Sequence, residues 1–340
     1  MKYYDVSQWG DSSGQGSPGT REKDILVDPD TGKIYFLKFS LFKPGRDYKT
    51  EYWSEIIAYA IGKYLGFNIL EYNLAEKNER FGCISENMVD TESEQLIEGY
   101  SILSSCNPAY DPNDKNMRHM YTFSFVCEAL KKYGYSRFIP DFIEILIFDA
   151  IIGNSDRHQG NWGFIHKRDV SSNENSKSLK SVLKNLRKRK KEDVSKDRIS
   201  PIYDSGCCLG REFSDEVIAQ KLKEPESFDS FIRGSKAELR CDDTPKKKVT
   251  HFELLKYIMD SDQSYKTIIE NKINEICGIF DDKQLKNIIE NIEAEIPEKV
   301  KSRCKMSDER KQFIIKVITT RIKKTKGTFR KCTLRLDRLL

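Results

Sequence analysis

Within the segment Asn154-Ser155-Asp156-Arg157-His158-Gln159-Gly160-Asn161 a carboxylate and a side-chain amide stand five positions apart. In one polar turn, Asp156 can accept the hydrogen bond of a hydroxyl about to react, and the amide oxygen of Asn161 can ligate a hard cation such as Mg2+. A second cation ligand follows in Pro201-Ile202-Tyr203-Asp204-Ser205-Gly206, where Asp204 offers a carboxylate. Lys38 lies in Ile34-Tyr35-Phe36-Leu37-Lys38-Phe39, a run rich in β-formers that projects its ammonium from a strand. Glu55 is the acid placed to pair with it. A glycine-rich stretch, residues 14–23, supplies Gly16, Ser17, Gly19, Thr20 and Lys23, whose backbone can approach phosphate oxygens closely. These are the parts that phosphoryl transfer requires, since there the protein mainly positions groups and neutralises charge. His158 is counted with the catalytic residues as the group that orients the loop, by bonding to backbone or carboxylate.

The surrounding pattern shows what positions these groups. Residues 24–27 and 33–39 are β-type runs separated by Asp28-Pro29-Asp30-Thr31-Gly32, the signature of a hairpin. From 52 to 65 the apolar residues Trp53, Ile56, Ile57, Ala60, Ile61 and Leu65 fall on one broad helical face, and Gly66 ends it. Residues 67–75 and 81–88 read as two further strands. A mostly apolar, buried helix over 142–152 delivers the chain to Gly153-Asn154. Short strands are expected at 162–165 and 200–203, and helices near 251–261, 264–279, 282–292 and 308–323. A merely structural polar loop does not explain why so polar a turn ends a buried helix and restarts a strand at Trp162.

Composition narrows the class. The 340 residues contain 58 basic and 53 acidic side chains, so the net charge of +5 does not by itself point to nucleic acid. The basic excess is local: residues 176–191 hold eight Lys or Arg and no acid, inside a polar insert over 167–198. Such a run is either a solvated loop or a docking site for an acidic partner, nucleic acid or anionic lipid. No apolar stretch reaches membrane-spanning length, no signal peptide is evident, and nine cysteines without a Cys-x-x-Cys pair suit a reducing cytoplasm.

At this point the residues resemble a known family. The segment Asn154 to Phe164 is similar to the catalytic loop of HipA-like serine/threonine kinases, with the Asp-to-Asn offset found in protein kinases at large. Gly19-Thr20-Arg21-Glu22-Lys23 is similar to their phosphate loop. Phe36-Leu37-Lys38, Tyr52-Trp53-Ser54-Glu55-Ile56-Ile57-Ala58 and Pro201-Ile202-Tyr203-Asp204 match in order, over roughly residues 15–325. The resemblance implies an α+β, two-lobed protein-kinase-like fold. Residues 1–90 are then a small mixed N-lobe with β-sheet, phosphate loop and ATP lysine, and residues 91–340 a mostly helical C-lobe with the catalytic and metal-binding loops.

It also implies ATP and Mg2+ as cofactors and transfer to Ser or Thr hydroxyls of proteins, including the chain itself. By position, Lys38 contacts the ATP phosphates, Asp156 is the base, and Asn161 and Asp204 hold the metal. The linker Ser85-Glu86-Asn87-Met88 gives backbone hydrogen bonds to adenine. In this family a phosphate-loop serine can be autophosphorylated, and Ser12, Ser13 and Ser17 stand in that region. The sequence starts without the extra N-terminal subdomain of the best-known members, the part that often contacts an antitoxin, and an antitoxin-like regulator is one candidate among its partners. Two other readings compete: a phosphoinositide kinase, whose catalytic loop also holds Asp-Arg-His-x-x-Asn, and a nucleotide-binding pseudokinase module. A third, a nucleic-acid binder, rests on residues 176–191.

Overall fold

The structure is a computed structural model that describes residues 1–11, 23–41, 48–168 and 196–336. Gly16, Ser17, Gly19, Thr20, the serines Ser12 and Ser13, and the basic run 176–191 lie outside the described residues.

The hairpin forms where the turn residues predict it. β3 (Lys23–Val27) pairs antiparallel with β4 (Ile34–Phe39), placing Lys23 opposite Lys38. Gly32 closes the turn at φ 69°, a conformation that favours glycine, with its N–H on the Asp28 carbonyl at 2.8 Å. β5 (Asn73–Lys77) and β6 (Arg80–Glu86) continue the sheet, β1 (Tyr3–Asp5) adds a parallel edge strand, and β2 (Gly10–Asp11) closes the other edge. The order is β1-β5-β6-β4-β3-β2. Alternation along β4 divides its side chains between two faces. Tyr35, Leu37 and Phe39 join Val6, Leu26, Ala75 and Ile84 in a small core on one face, and Lys38 leaves from the other.

α1 (Glu51–Tyr64) packs across that second face. It is buried on nearly all sides from Glu51 to Ala58 because the sheet covers one side and the helical lobe the other. Trp53 Nε1 donates to the Cys304 carbonyl at 2.9 Å, and Gly66 turns the chain at φ 79°.

The C-lobe is built around α4 (Ile139–Ile152), which is apolar on most of its surface and therefore central. The lobe also holds a three-stranded sheet of β7 (Glu94–Glu98), β8 (Gly163–Lys167) and β9 (Arg198–Ile199), and the helices α2 (Gly99–Cys106) and α3 (Phe123–Lys132). The chain ends in α5 (Asp215–Lys223), α6 (Pro225–Gly234), α7 (His251–Ser261), α8 (Gln263–Ile279), α9 (Asp282–Glu290), α10 (Glu298–Cys304) and α11 (Asp308–Leu336). The fold is thus a mixed sheet lobe followed by a helical lobe. Among the described residues no helix is long and apolar enough to cross a membrane.

Two expected strands differ. Residues 67–72 do not join the sheet; Leu70 N–H bonds the Ile202 carbonyl and Ile202 N–H the Asn68 carbonyl, so this stretch pairs with the C-lobe. Residues 200–203 are likewise not a regular strand. The ladder stops at Ile199 because Pro201 has no N–H to donate. β9 instead returns the insert to β8, and its foot is stapled: the Asp197 carboxylate takes the Tyr135 hydroxyl at 2.7 Å and lies 2.8 Å from His166 Nδ1, all three buried.

Candidate active site

α4 ends on Gly153 at φ 72°, the left-handed cap that releases the chain into the polar turn. Asp149 is the single charged residue of the buried half of that helix, and it is 1% exposed. Its carboxylate accepts from Asn154 Nδ2 at 2.9 Å, from Arg157 Nε at 3.0 Å and from Arg157 Nη2 at 2.9 Å. Arg157 also donates to the carbonyls of Asn161 (2.8 Å) and Tyr203 (2.6 Å) and to Ser205 Oγ (3.0 Å). One buried guanidinium therefore fastens the helix end, the Asp156–Asn161 turn and the Asp204 loop together. Burial opposes its charge, but Asp149 outweighs that and holds its pKa above the ordinary arginine value.

Within the turn, Asn161 Nδ2 donates to the Asp156 carbonyl at 2.8 Å, which leaves the amide oxygen outside that bond. His158 Nδ1 accepts the Gly160 N–H at 3.0 Å, and the His158 carbonyl accepts the Asn161 N–H at 2.9 Å. The imidazole thus serves the turn backbone, the geometry of an orienting group.

The groups expected from the other lobe converge on Asp204. Lys38 Nζ lies 2.7 Å from Glu55 Oε1 and 2.6 Å from Asp204 Oδ1. Burial opposes the ammonium, yet the Asp204 and Glu55 carboxylates hold its pKa well above the ordinary lysine value. Glu55 uses its second oxygen on the Ser205 N–H at 2.8 Å. The Asp204 loop can lie this close to α1 because position 206 is glycine: a Cβ there would stand 2.9 Å from Glu55 Oε1. Asp204 itself adopts φ 53°, with its N–H on the Tyr72 hydroxyl at 3.3 Å.

Other expected residues are placed differently. Lys23 is half-buried opposite Lys38. The linker is not drawn into this cluster: Glu86, Asn87 and Met88 border a separate groove of about 670 Å3 with Asn68, Asp141 and Arg198 among its other walls, and neither Lys38 nor Asp204 lines it. The Glu86 side chain pairs with Lys33, and the Asn87 N–H is bound to the Ile34 carbonyl at 2.8 Å.

Sequence reasoning gave no role to Asp149, to Arg157 or to Glu98. A lone acid in an apolar helix beside a downstream arginine was the available sign of the first two. Glu98 ends β7 within the electrostatic reach of Lys23, Asp204 and Tyr203. Burial raises its pKa, Lys23 opposes the rise and Asp204 adds to it.

No protein-family model matches the chain. Over 141 residues it is 27% identical to the serine/threonine-protein kinase CtkA of Helicobacter pylori, a stretch that covers 40% of this chain and 36% of that protein. The chain thus spans about a third of the curated relative's length in that alignment. In structure it resembles the crystal structure of the Helicobacter pylori proinflammatory kinase CtkA, with a TM-score of 0.73, 19% identity and 98% of each chain covered. It also resembles HipA of Shewanella oneidensis MR-1, solved with HipB and operator DNA, with a TM-score of 0.53 and 12% identity over 92% of this chain and 66% of that one. The chain is related to CtkA in sequence and shares its fold with CtkA and, over 92% of its length, with HipA.

Proposed function

We propose that this protein is a serine/threonine protein kinase that transfers the γ-phosphate of ATP, carried with Mg2+, to hydroxyls of proteins, its own among them. The observation that carries the reading is the buried Lys38–Glu55 pair and its contact with the part-buried Asp204 across the two lobes, tied through Arg157 to the Asp156–Asn161 turn. All four of Lys38, Asp156, Asn161 and Asp204 are present, which argues against a degenerate binding module. Relationship to a serine/threonine kinase favours a protein hydroxyl over a lipid one.

Each residue has a task in this reaction. The acceptor hydroxyl gives its proton to the Asp156 carboxylate as its oxygen attacks the γ-phosphorus, and the bond to the β-phosphate oxygen breaks to leave ADP. Lys38, held by Glu55, meets the nucleotide phosphates and offsets their charge. Asn161 and Asp204 are hard oxygen donors, and Mg2+ is commonly held by one or two such side chains with phosphate and water completing its shell. The residues therefore fit the ion, which when bound neutralises phosphate charge. A reducing cytoplasm is the setting that suits the cysteines, the eight with described side chains being free thiols. An antitoxin-like regulator is a further candidate partner, in view of the HipA–HipB complex.

The test is incubation with ATP labelled at the γ-phosphate, with a cell lysate and, separately, with mixed phosphoinositide vesicles. Label is expected on Ser or Thr of proteins, and Asp156→Ala and Asp204→Ala are each expected to abolish it while the circular dichroism spectrum is retained. Near wild-type transfer by either variant, or preferential labelling of lipid, overturns the reading.

A further inference from the structure

The Asp156 carboxylate has one hydrogen-bond donor among the described residues, and it is a thiol: Cys207 Sγ lies 3.3 Å from Asp156 Oδ2. Cys207 is itself held in place. It is 7% exposed, and its carbonyl accepts the Ser155 N–H at 3.1 Å and the Ser155 hydroxyl at 3.4 Å. The next residue continues the attachment into the other lobe, because the Cys208 carbonyl accepts from Ser54 Oγ at 3.4 Å. Ser54 stands beside Glu55 on α1, so a continuous strap runs from the helix that holds Lys38 to the carboxylate of the base.

We propose that Cys207 is a positioning residue for phosphoryl transfer, its thiol fixing the Asp156 carboxylate through Oδ2 so that the other oxygen faces the acceptor hydroxyl. This rests on the kinase reading above. The chemistry suits the task. A carboxylate on a polar turn swings freely about its side-chain torsions, and a single donor on one oxygen removes that freedom. A thiol is a weak donor, so it orients the carboxylate while leaving it basic. The strap also makes the aim of Asp156 depend on the position of α1, which links lysine placement and base placement in one mechanical unit.

The experiment combines kinetics with a readout that needs no turnover. Cys207→Ala is expected to lower kcat about tenfold, the scale of one hydrogen bond to a charged group, with KM for ATP within about twofold of wild type. Cys207→Ser, which keeps a donor, is expected to recover most of that loss. In parallel, the S–H stretching band of Cys207, isolated as the infrared difference between wild type and Cys207→Ala, is expected at the frequency of a bonded thiol and to shift in Asp156→Ala. An unshifted band overturns the proposal, as does a Cys207→Ala enzyme whose kcat is unchanged or whose loss tracks a lowered Tm that serine does not restore. Absent phosphate transfer by wild type alongside a shifted band overturns the kinase reading, and the positioning role with it, while the thiol–carboxylate contact stands.

Discussion

Two arginines are buried against the C-terminal end of α4, and they are held in different ways. Arg157, 2% exposed, meets a carboxylate with two nitrogens and spends the rest of its guanidinium on two loops. Arg321, 1% exposed on α11, has no carboxylate in contact among the described residues. Its Nε donates to the Ala150 carbonyl at 2.6 Å and its Nη1 to the Ile232 carbonyl at 3.3 Å, and the face of Phe252 lies 5.2 Å away. Both carbonyls lie in the last turns of helices, α4 and α6, where the backbone dipole is negative. Burial lowers the Arg321 pKa to about 10, against a rise for Arg157. Helix ends thus suffice to keep an arginine inside the lobe, whereas fixing the Asp156–Asn161 turn to the Asp204 loop takes a full ion pair with every donor assigned.

That contrast can be broken experimentally, and the largest effect should come from Arg157→Ala. It leaves Asp149 buried without its partner and releases both loops, so a loss of ~3–5 kcal/mol in urea denaturation is expected together with abolished phosphate transfer. Stability within ~1 kcal/mol of wild type would mean that Arg157 is an ordinary core residue. Asp149→Asn keeps the shape but strands the guanidinium, and a loss of ~2–4 kcal/mol is expected on the same assay.

The paired variant Asp149→Leu with Arg157→Met sharpens the comparison further. Replacing a buried ion pair with apolar residues is often neutral, but here Asn154 Nδ2 and the carbonyls of Asn161 and Tyr203 also lose their partners. Stability should therefore recover only in part from the Arg157→Ala loss while transfer of labelled phosphate stays absent. Recovery of activity would show that the loops do not need the guanidinium. The smallest effect is expected for Arg321→Met: ~1 kcal/mol or less in either direction, with transfer retained, since no carboxylate is left uncompensated. A loss above ~3 kcal/mol would place Arg321 in the same class as Arg157.

Much of the frame was legible because periodicity was strong. The hairpin of β3 and β4, the face of α1 and the apolar run of α4 follow from residue type and spacing alone. β1, β2 and β9 were illegible for a physical reason: strands of two or three residues carry no readable alternation. β7, Glu-Gln-Leu-Ile-Glu, looks like surface until Arg198 meets the buried Glu94 across the sheet at 2.9 Å. In the site, the Lys38–Glu55 pair was readable because the chemistry prescribes both residue types. Arg157 was not, since its acceptors come from Asp149, Asn161, Tyr203 and Ser205, which only the fold assembles. Glu98 shows the same limit, its burial being a tertiary property.

The stapled foot of the insert bears on how this protein tolerates change in length. Register pairing sets Ile165 opposite Arg198, and the His166–Asp197–Tyr135 contact just outside it is buried. The two chain ends are therefore held at neighbouring positions whatever connects them, and the entropy of closing a connection grows only slowly with its length. This junction is the natural place to splice in a reporter domain or to open new chain termini by circular permutation, since neither operation disturbs the turn that carries Asp156.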